Sequence, residues 1–289
     1  MKKCSPLRLG VVGSMLLCAV VLTRFVGGSN PALRHLLGLD DAPPTPLPSH
    51  LSIALSPRTS HFAPHVAVVP CGSHVTFTNG LDTPVAIHSA KLSPAPFAFS
   101  LAAHAQATTR LTRPGLYHYY DALTAHPRHV VAGNAVIVTK TGRGSPRQGW
   151  IAVLCGLPSL RQELRVPQNH DLFAPKVLVG VVGSTITVSN HDADAHNFVI
   201  DPASPAGAAF IVNGTDDEPP HGWHRALVVQ QPGIYHVYCT FHARVVGKRD
   251  GWRVLVPLRD PTAYETSADY RDHNTMEAWI VVLPATATV

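Results

Sequence analysis

Short runs in which apolar residues alternate with small or polar ones recur along most of the chain. Examples are VTFTN (75–79), TITVSN (185–190) and YHVY (235–238), which are rich in β-branched or aromatic residues. A two-residue period places alternate side chains on opposite faces of a β-strand, and Gly, Pro and Asn bound such strands. No long stretch shows the 3.6-residue period of an amphipathic helix. The pattern therefore predicts an all-β protein.

The strand-like runs occur twice, in the same order. FAPHVAVVPCGSHVTFTN (62–79) matches FAPKVLVGVVGSTITVSN (173–190) without gaps, 111 positions further on. PGLYHYYDALTAH (114–126) then matches PGIYHVYCTFH (232–242), and RQGWIAVL (147–154) matches MEAWIVVL (276–283). Such a repeat, with several short strands in each unit, predicts two tandem Greek-key β-sandwich domains. We place them at residues 51–157 and 158–289.

The N-terminal region has the pattern of an export signal. The basic start MKK is followed by an apolar run over residues 9–23. This run is shorter than the roughly 20 residues that a transmembrane helix needs, yet no clear cleavage site follows it. Residues 1–28 are therefore interpreted as a signal peptide or a membrane anchor, and the Pro-rich residues 29–50 as a stiff linker. We expect an exported protein in the periplasm or another extracytoplasmic space, anchored to the inner membrane if the segment is retained.

Export changes how the five cysteines are interpreted, because disulfides form in oxidising compartments. Cys4 and Cys18 lie in the export segment. Cys71 precedes a turn and Cys155 ends the closing strand of the first domain, which puts both at the same end of a sandwich. We therefore predict a Cys71–Cys155 disulfide, the alternative being two small buried apolar side chains. The disulfide would leave Cys239 as an unpaired thiol.

Charge divides unevenly between the two predicted domains. Lys and Arg outnumber Asp and Glu by 8 to 2 over residues 51–157, whereas the counts are 10 and 14 over residues 158–289. This asymmetry either orients the molecule toward a charged partner or reflects two solvated surfaces of different composition. The basic residues are scattered rather than interleaved with aromatic ones, so we expect no nucleic-acid partner.

Four potential metal ligands follow one another along the second domain. His196 starts an apolar run in SNHDADAHNFVI, Cys239 and His242 are three residues apart in YCTFH, and Met276 opens the closing strand. One thiolate, two imidazoles and a thioether form a soft donor set, which suits a copper ion that changes between Cu(I) and Cu(II). Zinc also accepts one Cys and two His ligands, and a Cys in a strand is by itself more often a core residue.

This arrangement resembles the cupredoxin family, to which plastocyanin and azurin belong. The resemblance rests on HNF after an Asn-x-Asp turn, on YCTFH, and on the Met before the strand in MEAWIVV. It implies a cupredoxin-like β-sandwich with one type 1 copper ion, for which His196, Cys239 and His242 are strong ligands and Met276 is axial. Plastocyanin-like members have the Met shortly after the His, whereas here 33 residues (243–275) intervene. The repeat favours MEAWIVV as the closing strand of the second domain. DGWRVLV (250–256) is an alternative closing strand, and in that register Met276 would not reach the metal. In the first domain, AGNAVIV (132–138) also resembles a closing strand.

The first domain departs from the ligand pattern. Asp121 stands where the second domain has Cys239, and Arg147 stands where it has Met276. A carboxylate does not supply the soft donor of such a site, and an arginine repels a cation. The first domain is therefore interpreted as a degenerate copy without metal. The alternative is a site of hard ligands: Asp121, His126 and His88.

The resemblance implies an exported blue-copper electron carrier, not an enzyme, whose partners are redox proteins such as a cytochrome or a membrane oxidoreductase. The acidic segments TDDEPP (215–220) and LRDPTAYETSADYRD (258–272) would steer a basic partner. One alternative is a protein that sequesters or delivers copper. Another is a two-domain copper oxidase or nitrite reductase, but the chain has no His-x-His pair, and Tyr238, not a histidine, precedes Cys239.

Overall fold

A computed structural model of the chain describes residues 45–58, 61–131, 133–141, 146–168, 170–192, 196–204, 211–213, 224–249, 252–257 and 275–289. The predicted export segment and residues 29–44 of the predicted linker lie outside these ranges. The described residues form β-strands and turns without a helix, which confirms the all-β prediction. They accordingly offer no helix that is long and apolar enough to span a membrane.

The strands are numbered in chain order. The first half contains β1 (Thr45–Pro46), β2 (His50–Leu55), β3 (Phe62–Ala63), β4 (Val66–Pro70), β5 (Ser73–Asn79), β6 (Val85–Ser89), β7 (Ala98–Leu101), β8 (Gln106–Leu111), β9 (Gly115–Asp121), β10 (Ala125–Val131), β11 (Asn134–Thr139) and β12 (Gln148–Leu154). The second half contains β13 (Arg161–Val166), β14 (Val177–Val181), β15 (Thr185–Asn190), β16 (Asn197–Ile200), β17 (Ile211–Asn213), β18 (His224–Val228), β19 (Gly233–Tyr238), β20 (Ala243–Arg249), β21 (Trp252–Pro257), β22 (Glu277–Leu283) and β23 (Ala287–Thr288).

Each half of the chain folds into a β-sandwich of two sheets. In the first half, a five-stranded sheet of order β4-β12-β9-β6-β7 and a four-stranded sheet of order β3-β2-β5-β8 share one apolar core. In the second half, the sheets are β14-β22-β19-β16-β17 and β13-β15-β18, again around one core. Both five-stranded sheets begin with a parallel pair and continue antiparallel.

The two five-stranded sheets pack against each other through their outer faces. All five residues of β14 are buried, because this strand contacts its own core on one face and the other sandwich on the opposite face. Burial on both faces explains why its sequence, VLVGV, is apolar throughout rather than alternating. The side chains in this contact are Val66, Val68, Trp150 and Ala152 from the first half and Val177, Val179, Val181, Trp279, Val281 and Leu283 from the second.

The structure settles which segment closes the second sandwich. β22 lies between β14 and β19, with Trp279 opposite Val177 on one side and His236 on the other. The alternative segment around β21 instead forms a hairpin with β20, and in the first half β11 forms the matching hairpin with β10. The register favoured by the repeat is therefore confirmed, and it brings Met276 to the start of a central strand.

The predicted disulfide is present. Cys71 and Cys155 are bonded, with their Cα atoms 5.0 Å apart, and the Cys71 N–H donates to the Leu154 carbonyl (2.8 Å). The bond joins the end of β4 to the end of β12, which are neighbouring parallel strands. The last part of the predicted linker is also structured, because β1 pairs in parallel with β23 at the C-terminus.

Candidate metal centre

Cys239 follows directly on β19, and its side chain is fully buried. Its backbone N–H donates to the Met276 carbonyl (3.1 Å), so the segment that leads into β22 fixes its position. Among the described residues, Cys239 is the cysteine that takes part in no disulfide. The thiol therefore lies at the end of a central strand, inside the core of the second sandwich.

His196 and His242 bring their imidazole rings to this thiol. The ligand atoms of His196, Cys239 and His242 all lie within 4.8 Å of one another, and all three side chains are buried. The ring centroids of the histidines are 4.6 Å apart, and His242 Nδ1 lies 3.5 Å from Cys239 Sγ. His196 stands at the start of β16 and His242 just before β20, so two separate turns supply the imidazoles.

A buried carboxylate contacts the Nε2 atom of each imidazole. Asp192 Oδ2 lies 3.1 Å from His196 Nε2, and Asp171 Oδ1 lies 3.4 Å from His242 Nε2. An acceptor at Nε2 fixes the tautomer that carries its proton there, which leaves Nδ1 with a lone pair for a metal ion. The two Asp–His pairs thus leave Nδ1 of each ring available for a metal ion. Asp171 and Asp192 also lie with His196 in a second group of close donor atoms.

One buried nitrogen of the cluster has no hydrogen bond. His196 Nδ1 is buried and lacks a partner among the residues that the structure describes. A buried polar atom without a partner costs free energy, and such atoms in folded proteins call for an explanation. A metal ion held by His196, Cys239 and His242 would satisfy this nitrogen. The donors present therefore fit a soft or borderline metal ion such as copper or zinc.

Electrostatics at the cluster favour the thiolate form of Cys239. Burial alone would raise the pKa of Cys239, but the adjacent His196 and His242 imidazoles lower it to about 6. Burial lowers the pKa of His196, whereas Asp192 and Cys239 outweigh this effect and raise it. The thiolate is the form that binds metals, whereas the raised pKa of His196 means that an ion would displace a proton from its imidazole on binding.

Asn197 holds the loop that carries the cysteine. Its backbone N–H points at Cys239 Sγ (3.4 Å), its side-chain Nδ2 donates to Thr240 Oγ1 (2.6 Å), and its Oδ1 accepts from the Thr240 N–H (2.7 Å). These bonds tie β16 to the turn after β19. The N–H contact to sulfur also stabilises negative charge on the thiolate.

Met276, the fourth predicted ligand, is fully buried in the same core cluster as Cys239. The residues on either side of it are fixed by Lys176, whose Nζ donates to the carbonyls of Thr275 and Glu277 (both 3.1 Å). Lys176 is itself held by Asn134 of the first sandwich, whose Oδ1 accepts from the Lys176 N–H (3.1 Å). The backbone of Met276 is thus anchored beside Cys239. Its role as an axial ligand stays a prediction.

In the first sandwich the position of Cys239 is taken by an ion pair. Asp121 is buried, and its Oδ2 lies 3.2 Å from Arg147 Nη1. Its carboxylate also accepts from the backbone N–H groups of Ala86 (3.3 Å) and Leu123 (3.1 Å) and from Thr124 Oγ1 (2.9 Å). The two residues that depart from the ligand pattern therefore bind each other.

The hydrogen bonds of Asp121 also bear on the alternative site of hard ligands, which would consist of Asp121, His126 and His88. The Asp121 carboxylate is already engaged by protein groups, and the groups of close metal-ligating atoms found in the described part of the chain lie in the second sandwich. The His126 side chain is exposed, and His88 packs edge-on against Tyr120.

Replacing Asp121 by alanine is expected to destabilise the protein by about 3 kcal/mol, because it leaves buried N–H groups and the Arg147 guanidinium without an acceptor. Chemical denaturation followed by circular dichroism measures the loss. The exposed pair of Asp82 with His104 (3.1 Å) provides the control, since Asp82→Ala should change the free energy of unfolding by less than about 0.5 kcal/mol. Equal losses for the two variants would contradict a structural role for Asp121.

Three polar residues of the metal centre were not identified from the sequence. Asp171 lies in a loop, and the sequence contains many other loop carboxylates, so nothing marks it as the partner of His242. Asp192 belongs to the Asn-x-Asp turn before His196, but that pattern did not show that its carboxylate contacts the imidazole. Asn197 does have a signal, because it directly follows a predicted ligand in HNF. A polar residue at the first position of an otherwise apolar strand indicates a local hydrogen-bonding task.

Comparisons with known proteins give matches for part of the chain. No protein-family model matches, and none of the curated proteins is similar in sequence. Among solved structures, a purple cupredoxin from Nitrosopumilus maritimus is 18% identical, with a TM-score of 0.26, over 36% of this chain and 99% of its own. An oxidized amicyanin mutant is 15% identical (TM-score 0.27; 37% of this chain, 83% of its own), and a Cu(I) amicyanin mutant is 13% identical (TM-score 0.27; 40% and 95%).

Proposed function

We propose that the protein is a copper-dependent electron carrier, with one type 1 copper ion bound by His196, Cys239 and His242 and, axially, by Met276. The observation that carries this proposal is the buried convergence of two imidazoles on a free thiol, within 4.8 Å, with one imidazole nitrogen lacking a hydrogen bond within the described part of the chain. A thiolate with two imidazoles is the donor set of electron-transfer copper sites. When bound, the copper ion would accept or donate one electron at a time.

The chain's own residues support electron transfer rather than catalysis. The three strong ligands are buried and held from outside by Asp171, Asp192 and Asn197, so the site changes little when the charge of the ion changes. Outer contacts of this kind also tune a reduction potential. A protein that only sequesters the ion needs no such fixed geometry, and we therefore favour electron transfer over storage or delivery.

We further propose that the two sandwiches are copies of one domain and that the first has lost the metal. The equivalent strand orders of the five-stranded sheets and the Asp121–Arg147 ion pair support this. Export through residues 1–28, and docking of a basic redox protein at the acidic segments, complete the proposal. Those acidic segments lie outside the described residues.

Copper loading of the full chain tests the proposed function. Addition of Cu(II) followed by air oxidation is expected to give one bound copper ion per chain and an intense visible absorption from thiolate-to-copper charge transfer. Reversible bleaching by ascorbate would then follow the Cu(I)/Cu(II) change. A protein that stays colourless while it binds zinc or Cu(I) would contradict electron transfer and support storage or a structural metal.

A further inference from the structure

The β10–β11 hairpin of the first half contacts both halves of the protein. Val136 packs against Leu172 and Ala174 of the second half, whereas Ile137, the next residue of β11, packs against Tyr120 of its own half. Side chains alternate between the two faces of a strand, so a single strand serves both contacts. Burial on both faces explains why the run AVIV (135–138) is apolar throughout. The hairpin therefore joins the two halves.

The part of the second half that this hairpin contacts leads directly to the metal centre. We call residues 171–176 the linking segment. It begins with Asp171, whose Oδ1 lies 3.4 Å from His242 Nε2, and it ends with Lys176, whose Nζ donates to the carbonyls on either side of Met276 (both 3.1 Å). Apart from one proline, the residues of the segment are buried. One short segment thus supports two of the four proposed ligands.

Alternate residues of the linking segment are held by the hairpin. Leu172 and Ala174 are buried in its apolar contact, and the Lys176 N–H donates to the Oδ1 atom of Asn134, at the start of β11 (3.1 Å). Phe173, between them, belongs to the core of the second sandwich. The segment is therefore fixed between the hairpin on one side and the core that contains the thiol on the other.

The matching hairpin of the second half packs less closely on the first. Residues 62–65 match residues 173–176 of the linking segment, and β20–β21 matches β10–β11. A cavity of about 450 Å³ is lined by residues 61–66 and by residues 252–255 of β21. The contact is thus tight where it leads to metal ligands. It is interrupted on the side of the first sandwich, whose ligand positions hold the Asp121–Arg147 ion pair.

Lys176 is itself a departure from the repeat. The first sandwich has His65 at this position, and the His65 ring packs against Trp150 (4.9 Å) and Trp279 (5.4 Å). Lys176 is only 8% exposed and instead directs its ammonium group to the two carbonyls beside Met276. Burying an ammonium group costs free energy unless hydrogen bonds compensate for it. A lysine at this position therefore has a local task, which is to hold the backbone around Met276.

We propose that Asn134 and Lys176 are positioning residues of the metal centre, through which the β10–β11 hairpin of the first half fixes Met276 and, through the linking segment, His242. This proposal rests on the proposed function, since it takes Met276 and His242 as copper ligands. Contacts outside the ligands of a metal fix their orientation. The competing explanation is that the hairpin only stabilises the contact between the two halves. The two explanations differ in what happens at Met276 in a variant that stays folded.

Methionine methyl NMR tests this positioning without a metal ion. The chain has three methionines, of which Met1 and Met15 lie in the predicted export segment, so the buried Met276 gives a distinct signal. In the full, copper-free chain, Asn134→Leu should shift this signal and lower the order parameter of the methyl group, because the Lys176 N–H loses its acceptor. Asn134→Asp keeps an acceptor oxygen and should give the signal of the unmodified chain.

Two further variants separate positioning from general stability. Lys176→Leu removes the donor at the other end of the link and should disturb the same Met276 signal. Val68→Ala is the matched control, because Val68 is buried in the contact between the five-stranded sheets and belongs to a different cluster from the linking segment. It should lower the free energy of unfolding without moving the signal. An unchanged Met276 signal in Asn134→Leu, or an equal change in Val68→Ala, would overturn the proposal.

Copper titration of the same variants separates this proposal from the proposed function. Asn134→Leu should weaken Cu(II) binding about tenfold, which is the lower end of the loss expected for an outer contact to a metal ligand. Asn134→Asp and Val68→Ala should retain the affinity of the unmodified chain, and an affinity that Asn134→Leu also retains would contradict an effect of the hairpin on the metal centre. If the unmodified chain bound no copper, the proposed function would fail, whereas the Met276 signal would still report whether the hairpin positions this side chain.

Discussion

Replacing Cys239 by serine is expected to abolish the visible absorption of the copper-loaded protein and to weaken copper binding by more than about 100-fold. Loss of an outer contact to a metal ligand already costs about 10- to 100-fold, and this change removes a ligand itself. A serine hydroxyl stays protonated near neutral pH and is a hard donor, so it offers neither the charge nor the sulfur orbital that the absorption requires. The substitution changes little volume, and the Asn197 contacts to Thr240 remain to hold the loop.

Absorption spectra and competitive copper titration of the full-length variant measure this effect. His88→Ala, in the first sandwich, serves as the control and should retain both the colour and the affinity, because His88 packs on Tyr120 away from the cluster. A Cys239→Ser variant that still turns coloured with Cu(II) would show that the absorbing site lies elsewhere.

The strand pattern and the repeat predicted the fold because both depend on local chemistry. Alternation of apolar and polar residues marks a strand wherever one face is buried, and a second copy of the same blocks shows which strands are equivalent. That comparison selected β22 rather than the β21 segment as the closing strand. It also predicted that Cys71 and Cys155 lie at the same end of the sandwich.

The polar surroundings of the thiol could not be predicted in the same way. Asp171 is paired with His242 because loops distant in sequence meet at one end of the sandwich, whereas Asp192 contacts His196 from four positions earlier in the same loop. Nor did the sequence show that Asp121 and Arg147 bind each other. In the sequence alignment, each of them simply replaces a predicted metal ligand of the second sandwich. In the structure, the pairing of β9 with β12 places them side by side as an ion pair.

One pair of matching positions, His118 and His236, has different surroundings in the two sandwiches. Burial, with the charges of Lys176 and His65, lowers the pKa of His118 to about 4, and the hydrogen bond to the neutral Gln148 (2.9 Å) does not offset this. Burial also lowers the pKa of His236, but hydrogen bonds to Asp201 and Glu277 outweigh it and raise the pKa overall. The first sandwich has the amide of Gln148 where the second has the carboxylate of Glu277. This difference helps to keep the His118 imidazole neutral and to favour the charged form of His236. The charged form lies on the outer face of β19, opposite to the face of Cys239.

Removal of the disulfide, by Cys71→Ala together with Cys155→Ala, is expected to lower the free energy of unfolding by about 4 kcal/mol. The bond closes a loop of 84 residues, which contains most strands of the first sandwich, and a cross-link over such a loop restricts the unfolded chain strongly. Little of the loss should come from packing, because Cys155 is exposed and Cys71 only partly buried. In the folded state the β4–β12 ladder and the hydrogen bond from residue 71 to Leu154 remain.

Equilibrium denaturation with and without a reducing agent separates the cross-link from the side chains. Reduction should destabilise the unmodified chain by the same amount as the double substitution and should leave the double variant unchanged. The proposed copper site offers a second test, because its predicted ligands lie in the other sandwich and its absorption should persist in the folded double variant. A double variant as stable as the unmodified chain would contradict a stabilising effect of the disulfide on the first sandwich.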